Sequence, residues 1–458
     1  MNVLQIGDND IIGNKFNGHD LHIYLRNEGV IANHLVMSKQ SSDKDTYVFP
    51  SVQPHHFFNA LVSQRVFLEA DIIHLHLIHN TQFNIVYLPF ISSLKPVVWT
   101  LHDPWVLSGH CIHHGNCDKW KSHCMDCNSL EAHFPLSRDT SALEFALKKR
   151  AIQNSQIFPI VASQWMEEKL AESPIWQGKP VRQIPFGINQ SLFSPGDKLE
   201  ARKLLGISAN SIVLFCRVAP FWKGTDLLND ALIEAGKKND LVLLTVGFAE
   251  KDILRHLPRS IRHVHYGWIE DDNSLLNLYR ASDLFLMPSE QEAFGMMAIE
   301  AMSCGKMVLA LDAPGSAVPQ VINAPYSGIA VQRSQYAQEL CRLLASPDEI
   351  FQRGKMCFSY ATRKYGYKNY ISKILSMYSY ALENFSSNID ADLILNQLRT
   401  YACDESHSDL SFKLGEDGCI LGCSKCRVEN TSARLVSYYR KNGLLCTFKK
   451  IVNKILSD

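Results

Sequence analysis

Short, almost uninterrupted apolar runs alternate with amphipathic stretches along most of this chain, and that rhythm limits its fold more than any other feature. Residues 3–6, 71–76, 97–101 and 157–161 read as strands in the first half. Residues 212–216, 241–246, 263–266, 284–287 and 307–311 do so in the second. Helical periodicity occupies 20–27, 143–154, 164–171, 198–205, 225–235, 274–281 and 292–304. Strands that are apolar at consecutive positions are covered on both faces, and the intervening helices supply the cover. The expected class is α/β, with doubly wound parallel sheets. At 458 residues, and at roughly 150 residues per domain, two or three domains are expected.

The rhythm breaks in three places. Residues 103–138, rich in Cys, His and Trp, are too long for an ordinary connection and read as a structured insertion. Gly, Pro and Asn concentrate at Pro185-Phe186-Gly187-Ile188-Asn189 and again at Phe193-Ser194-Pro195-Gly196-Asp197, which marks a hinge between two similar domains. Beyond residue 382 the alternation stops. The expected division is 1–190 with its insertion, 191–385, and an extension over 386–458.

Charge and segment lengths narrow the partners. Lys plus Arg equals Asp plus Glu at 46 each, so bulk attraction to nucleic acid is not expected. No apolar run reaches the ~18 residues of a membrane-spanning helix. The first residues, Met1-Asn2-Val3-Leu4-Gln5-Ile6-Gly7, form a strand pattern and lack the basic start and long apolar core of a secretion signal. The expectation is a reducing, cytoplasmic location, which turns clustered cysteines from disulfides toward metal.

The most informative stretch runs from Met287 to Gly315. A strand ends at Pro288, a loop holds Glu292, Gly295 permits a tight turn, and a helix follows that stops at Gly305. Glu300 lies eight residues after Glu292. A helix N-terminus offers unpaired N–H groups and positive potential, which suits a diphosphate. A carboxylate in the loop before it can accept bonds from sugar hydroxyls, and one within the helix can hold a ribose diol. Such acids need basic residues nearby to offset phosphate charge. Arg217 and Lys223 follow the strand 212–216, at the carboxyl end where open α/β sheets bind ligands. Arg grips a phosphate with two parallel bonds, and Lys adds a point charge.

These residues resemble the Glu-x7-Glu signature of retaining glycosyltransferases of family 4, which have the GT-B fold of two Rossmann-like domains facing a cleft. Further matches keep the family's order: Asp71-Ile72-Ile73-His74-Leu75-His76, Thr100-Leu101-His102-Asp103, Ile184-Pro185-Phe186-Gly187, Tyr266-Gly267-Trp268 and Ala281-Ser282-Asp283. The resemblance implies a sugar moved from a nucleoside-diphosphate donor to a glycan acceptor, lipid-linked, in the assembly of surface polysaccharides such as O-antigen, capsule or exopolysaccharide. It implies that Glu292 contacts the donor sugar, and that Phe294, Gly295, Met296 and Met297 offer backbone amides. Glu300 would hold the ribose, and Arg217 and Lys223 the diphosphate as it leaves. His102 would face the sugar from the acceptor-side domain, and Gly18 matches the glycine loop after the first strand. Two departures stand out. Asn17-Gly18 replaces a common Gly-Gly pair, and Arg217 and Lys223 are one residue farther apart than in some relatives. No metal or organic cofactor is expected for catalysis.

Plainer readings exist for each residue. Glu292 and Glu300 could be a solvated loop acid and a helix-face acid, Lys223 a turn residue before Gly224, and His102 a satisfied core histidine. An epimerase on the same fold, or a binding protein with a lapsed site, are the alternative functions. A phosphorylase would need a pyridoxal-phosphate lysine context that the sequence lacks.

The insertion holds Cys111-x5-Cys117-x6-Cys124-x2-Cys127, four thiols in 17 residues, with His110, His113, His114 and His123 available as substitutes. That count fits a tetrahedral structural zinc site, against free thiols or a disulfide. A second cluster, Cys419-x3-Cys423-x2-Cys426, has too little chain after it for a radical enzyme and reads as a zinc knuckle or free thiols. Residues 434–457 carry six Lys or Arg and no acid, with apolar residues between. They read as a basic amphipathic helix that could lie on the inner face of the cytoplasmic membrane, or as a solvated terminal helix.

Overall fold

The computed structural model describes residues 1–386 except 12, 14, 15, 17, 53–56, 132–135, 220, 221, 248–253, 255 and 270. Asn17, the second cysteine cluster and the basic tail lie outside the described residues. The chain forms two compact units. Of the described residues, the first holds Met1–Ile160, Lys169–Arg182 and those from Leu375 to Ser386; the second holds Val161–Glu168 and Gln183–Ile374.

Among the described residues, the first unit is built on seven strands. In chain order they are β1 (Asn2–Asn9), β2 (Ile31–Ser38), β3 (Thr46–Val48), β4 (Ile72–Leu75), β5 (Val97–Leu101), β6 (Ile157–Val161) and β7 (Arg182–Gln183). Their order across the sheet is β3-β2-β1-β4-β5-β6-β7. The apolar periodicity missed β2, because Asn33 and His34 interrupt its run. It nevertheless pairs with β1 along its length, from Asn2↔Ile31 to Asn9↔Ser38, in parallel. Strands β4, β5 and β6 are buried at every position, as two-faced cover requires. The strand order reverses between β1 and β4, so the loops after these two strands diverge and leave a crevice at their carboxyl ends.

The second unit repeats the plan. Its strands are β8 (Ile212–Arg217), β9 (Leu241–Val246), β10 (Ile261–His265), β11 (Leu284–Met287), β12 (Gln291–Glu292), β13 (Met307–Leu311), β14 (Gly315–Ser316) and β15 (Ile329–Val331). Six of them form a sheet in the order β10-β9-β8-β11-β13-β15, parallel throughout, while β12 and β14 pair separately. Leu214, Leu243, Leu284, Leu286 and Leu309 of this sheet pack with Leu228 and Leu232 of helix Thr225–Gly236 and with Leu340 and Leu343 of helix Tyr336–Leu344. Burying each such side chain contributes about 1.5–3 kcal/mol. Here the order reverses between β8 and β11, which places the switch point between the strand ending at Arg217 and the strand ending at Met287.

Helix Tyr367–Asn384 begins in the second unit and ends in the first. Its Tyr378 hydroxyl lies 2.6 Å from His74 Nδ1 and accepts from Gln5 Nε2 at 3.0 Å, on β4 and β1. Among the described residues, no helix is long and apolar enough to cross a membrane.

Candidate functional site

The loops after β8 and β11 are held together by backbone. Glu290 N–H donates to Trp222 O at 2.8 Å. Gly224 adopts φ +66°, and a Cβ there would lie 2.0 Å from Pro288 O. Only glycine fits both the left-handed conformation and the close approach. Lys223 therefore sits between two points at which its loop touches the 288–290 loop, and its ammonium pairs with the Glu292 carboxylate. Glu292 is itself fixed by β12, where its carbonyl accepts from Ala317 N–H at 2.8 Å. Both side chains are largely buried, at 12% and 17% exposure. Burial lowers the Lys223 pKa, Glu292 opposes that shift, and Arg217 adds to it.

Arg217 ends β8. Its guanidinium lies over the Trp268 ring at 5.7 Å, and its Nε is buried without a hydrogen-bond partner among the described residues. A buried donor of this kind usually meets a ligand or water.

The helix expected over 292–304 starts four residues later, as Met296–Ser303, because Gly295 turns the chain at φ +97° and caps it. A Cβ on Gly295 would lie 2.9 Å from Val318 Cγ2. Phe294 is buried edge-on to Phe186 and Tyr365, so only its backbone could reach a ligand. Met296 and Met297 open the helix, and the first amides of a helix point beyond its end. Glu300, 2% exposed, accepts a hydrogen bond from the Tyr279 hydroxyl at 2.8 Å. Burial first and Glu300 second raise the Tyr279 pKa well above its usual value. Arg217, Lys223 and Glu292 thus converge at one switch point, with Glu300 in the helix that follows.

The other expected residues lie in the first unit. A Cβ on Gly18, at φ +87°, would lie 2.5 Å from His76 Nε2. His76 Nδ1 is 3.0 Å from His102 Nε2, and His76 Nε2 is 2.7 Å from Gln5 Oε1. Phe16 meets the His102 ring edge-on at 5.6 Å. Gly18 and His102 therefore share His76 as a neighbour at the switch point of β1 and β4. Burial pulls His74 and His102 down to about 3 and His76 well below its usual value, so all three are neutral near pH 7.

In the insertion, a His110 nitrogen and the sulfurs of Cys111 and Cys127 lie within 4.8 Å of one another. Cys124 and Cys117 line the same small cavity, of about 30 Å³. Burial, then Cys127, Cys124 and Cys117, push the Cys111 thiol up to about 12. Lys148 of helix Ser141–Gln153 donates to Trp105 O and Ser108 O at 2.6 Å each, fixing the segment that leads to His110.

Sequence reasoning gave no part to Tyr279, Trp268 or His76, and it offered His110 only as a substitute. Tyr279 lies 21 positions from Glu300, and no spacing rule links two such residues across a sheet edge. Trp268 stood within a quoted motif, but nothing in that motif pairs it with Arg217.

Comparison with known proteins gives this geometry a context. Residues 209–346 match the family described as Glycosyl transferases group 1. The chain is 33% identical over 196 residues to the D-inositol 3-phosphate glycosyltransferase of Segniliparus rotundus, covering 39% of this chain and 42% of that protein. It is 29% identical over 240 residues to the protein of the same name from Rhodococcus erythropolis, covering 48% and 53%. The chain thus spans about half the length of the curated relatives it matches. Anabaena HepE, solved with UDP and glucose, superposes with a TM-score of 0.61 at 18% identity, over 83% of this chain and 99% of its own. WaaG, a glycosyltransferase involved in lipopolysaccharide biosynthesis, gives 0.60 at 17%, over 84% and 100%. The likeness to these structures is one of fold: two Rossmann-like units of the GT-B kind.

Proposed function

We propose that this protein is a retaining glycosyltransferase of family 4 that takes a sugar from a nucleoside-diphosphate donor. The observation that carries the reading is the convergence of Arg217, Lys223 and Glu292 at the β8/β11 switch point, beside a glycine-capped helix N-terminus. In this reading the diphosphate lies against Arg217, Lys223 and the amides at Met296 and Met297. Fixed positive charge there stabilises the leaving group without reorganisation. Glu292 accepts bonds from donor-sugar hydroxyls, and Glu300 holds the ribose. The departing phosphate helps to deprotonate the acceptor on the face it leaves, which retains the anomeric configuration. Gly18 and His102 belong to the acceptor-side unit, where a neutral His102 can donate to or accept from a sugar hydroxyl.

The acceptor we propose is a lipid-linked glycan in surface-polysaccharide assembly, on the cytoplasmic face of the membrane. Support comes from the sequence of residues 434–457 and from fold likeness to WaaG. A structural zinc ion in the cysteine-rich insertion completes the proposal. It would stiffen the chain after His102 and take no part in transfer.

A panel of nucleotide sugars, scored by the rise in melting temperature, identifies the donor. Adding that donor without acceptor then separates the alternatives. Slow hydrolysis supports a transferase. Interconversion of sugars at full rate would point to an epimerase, and binding without turnover, even with lipid-linked acceptors, to a lapsed site.

A further inference from the structure

We infer that the zinc ion is bound by His110, Cys111, Cys124 and Cys127, and that Cys117 stays outside the site. The inference rests on the zinc reading above and replaces a four-thiol set with a three-thiol, one-imidazole set. Six His and Cys residues line one small cavity and zinc takes four, so the geometry has to choose among them.

His110 is buried, and its two nitrogens face different groups. Nε2 is 3.1 Å from Ser129 O, while Nδ1 is 3.8 Å from Cys111 Sγ. A carbonyl only accepts, so Nε2 carries the proton and the Nδ1 lone pair points toward the thiols. Metal-bound histidines are oriented in this way, by an outer hydrogen bond from the nitrogen that does not bind. Donor atoms on one tetrahedral zinc ion lie roughly 3.5–3.8 Å apart. The group of His110, Cys111 and Cys127, within 4.8 Å, reaches that spacing by a shift of about 1 Å.

The fourth ligand follows from the surroundings of the two remaining sulfurs. Cys124 Sγ accepts the Gly109 N–H at 3.3 Å and is half-buried. That bond holds the sulfur against Gly109, the residue directly before His110. Cys117 is exposed. The supporting chain is also rigid around the chosen set. Gly109 packs so closely on Ser141 that a Cβ would lie 2.4 Å from its carbonyl, and Cys127 N–H donates to Asp139 Oδ2 at 2.7 Å. His114 also lines the cavity but stacks on Trp120 at 5.0 Å, so His114→Ala, expected to keep the ion, joins the variants below.

The test measures zinc per chain in the full-length protein by elemental analysis, comparing variants with wild type. Any metal held by Cys419, Cys423 and Cys426 cancels in that comparison. His110→Ala and Cys124→Ser should each lose one equivalent, and Cys117→Ser and His114→Ala should lose none. His110→Cys guards against simple unfolding. It should keep the ion, and after cobalt substitution its sulfur-to-cobalt absorption should rise by about one third, as three thiolates become four. Loss of the ion in Cys117→Ser or His114→Ala, or its retention in His110→Ala and Cys124→Ser, overturns the ligand assignment and leaves zinc binding standing. Cys111→Ser, a ligand in either set, tests the zinc reading itself: if it too leaves the metal content at the wild-type value, the insertion binds no zinc and that reading fails.

Discussion

Lys223 and Glu292, 69 residues apart in sequence, form a largely buried ion pair at the switch point of the second sheet. Two facts of the backbone create it: Gly224 pressed on Pro288, and β12 holding Glu292. The pair keeps both charges compensated. In the proposed reading, a diphosphate would compete for the lysine, while sugar hydroxyls would give the carboxylate new donors. The proposed donor would bring both groups at once.

That coupling makes Glu292→Gln informative. Turnover should fall by at least about 10²-fold, because the contacts to the sugar weaken where charge develops. Affinity for the nucleoside diphosphate alone should hold or rise, since Lys223 loses its competing partner. Titration calorimetry with the diphosphate of the identified donor checks this, and a large loss of affinity would contradict it.

Arg217→Ala removes a buried donor whose Nε has no partner among the described residues. Steady-state turnover should drop by about 10²–10³-fold, the range seen when one preorganised donor to a developing anion is lost. The melting temperature should change little. Near-normal turnover would remove Arg217 from the proposed mechanism.

Tyr279→Phe leaves the buried Glu300 carboxylate without its 2.8 Å hydroxyl donor. A bond to a charged group is worth about 1.5–3 kcal/mol, so the urea midpoint should fall accordingly. Nucleotide binding should weaken by about tenfold or more as Glu300 loses its orientation. Unchanged affinity in a folded variant would show that Tyr279 does not position Glu300.

Gly224→Ala should destabilise the second unit by at least about 1 kcal/mol, because the added methyl meets Pro288 O and the residue must keep a positive φ. Denaturant unfolding measures the stability loss. Donor binding should weaken in parallel, since the same displacement moves Lys223.

The buried histidines set an acid response. His74 and His102 are depressed to about 3 from a usual 6.5, and His76 is lower than usual as well. The unfolded chain therefore binds more protons than the folded one between about pH 3 and 6.5. The stability of the first unit should fall as pH drops through that window. Each histidine contributes at most about 1.4 kcal/mol per pH unit. Urea midpoints at pH 7.5, 6 and 5 test the slope. His74→Gln should flatten it, whereas an unchanged slope would assign the acid sensitivity elsewhere.

The sequence by itself determined the class of fold and the identity of the polar residues at the strand ends. Period and burial are local properties, so runs such as 97–101 and 307–311 declare themselves as covered strands. A glycine before a helix declares its turn, as at Gly295. Strand β2 escaped because Asn33 and His34 are polar where the pattern expects apolar residues, and only pairing with β1 makes His34 interior and Asn33 half-buried. Tertiary structure alone decided which distant residues meet. It set Lys223 against Glu292, Tyr279 under Glu300, His76 between Gly18 and His102, and His110 beside Cys111 and Cys127. Those meetings depend on strand order and loop contact, which bring together groups tens of residues apart. A one-dimensional pattern records the groups but not the crossing of the chain that joins them.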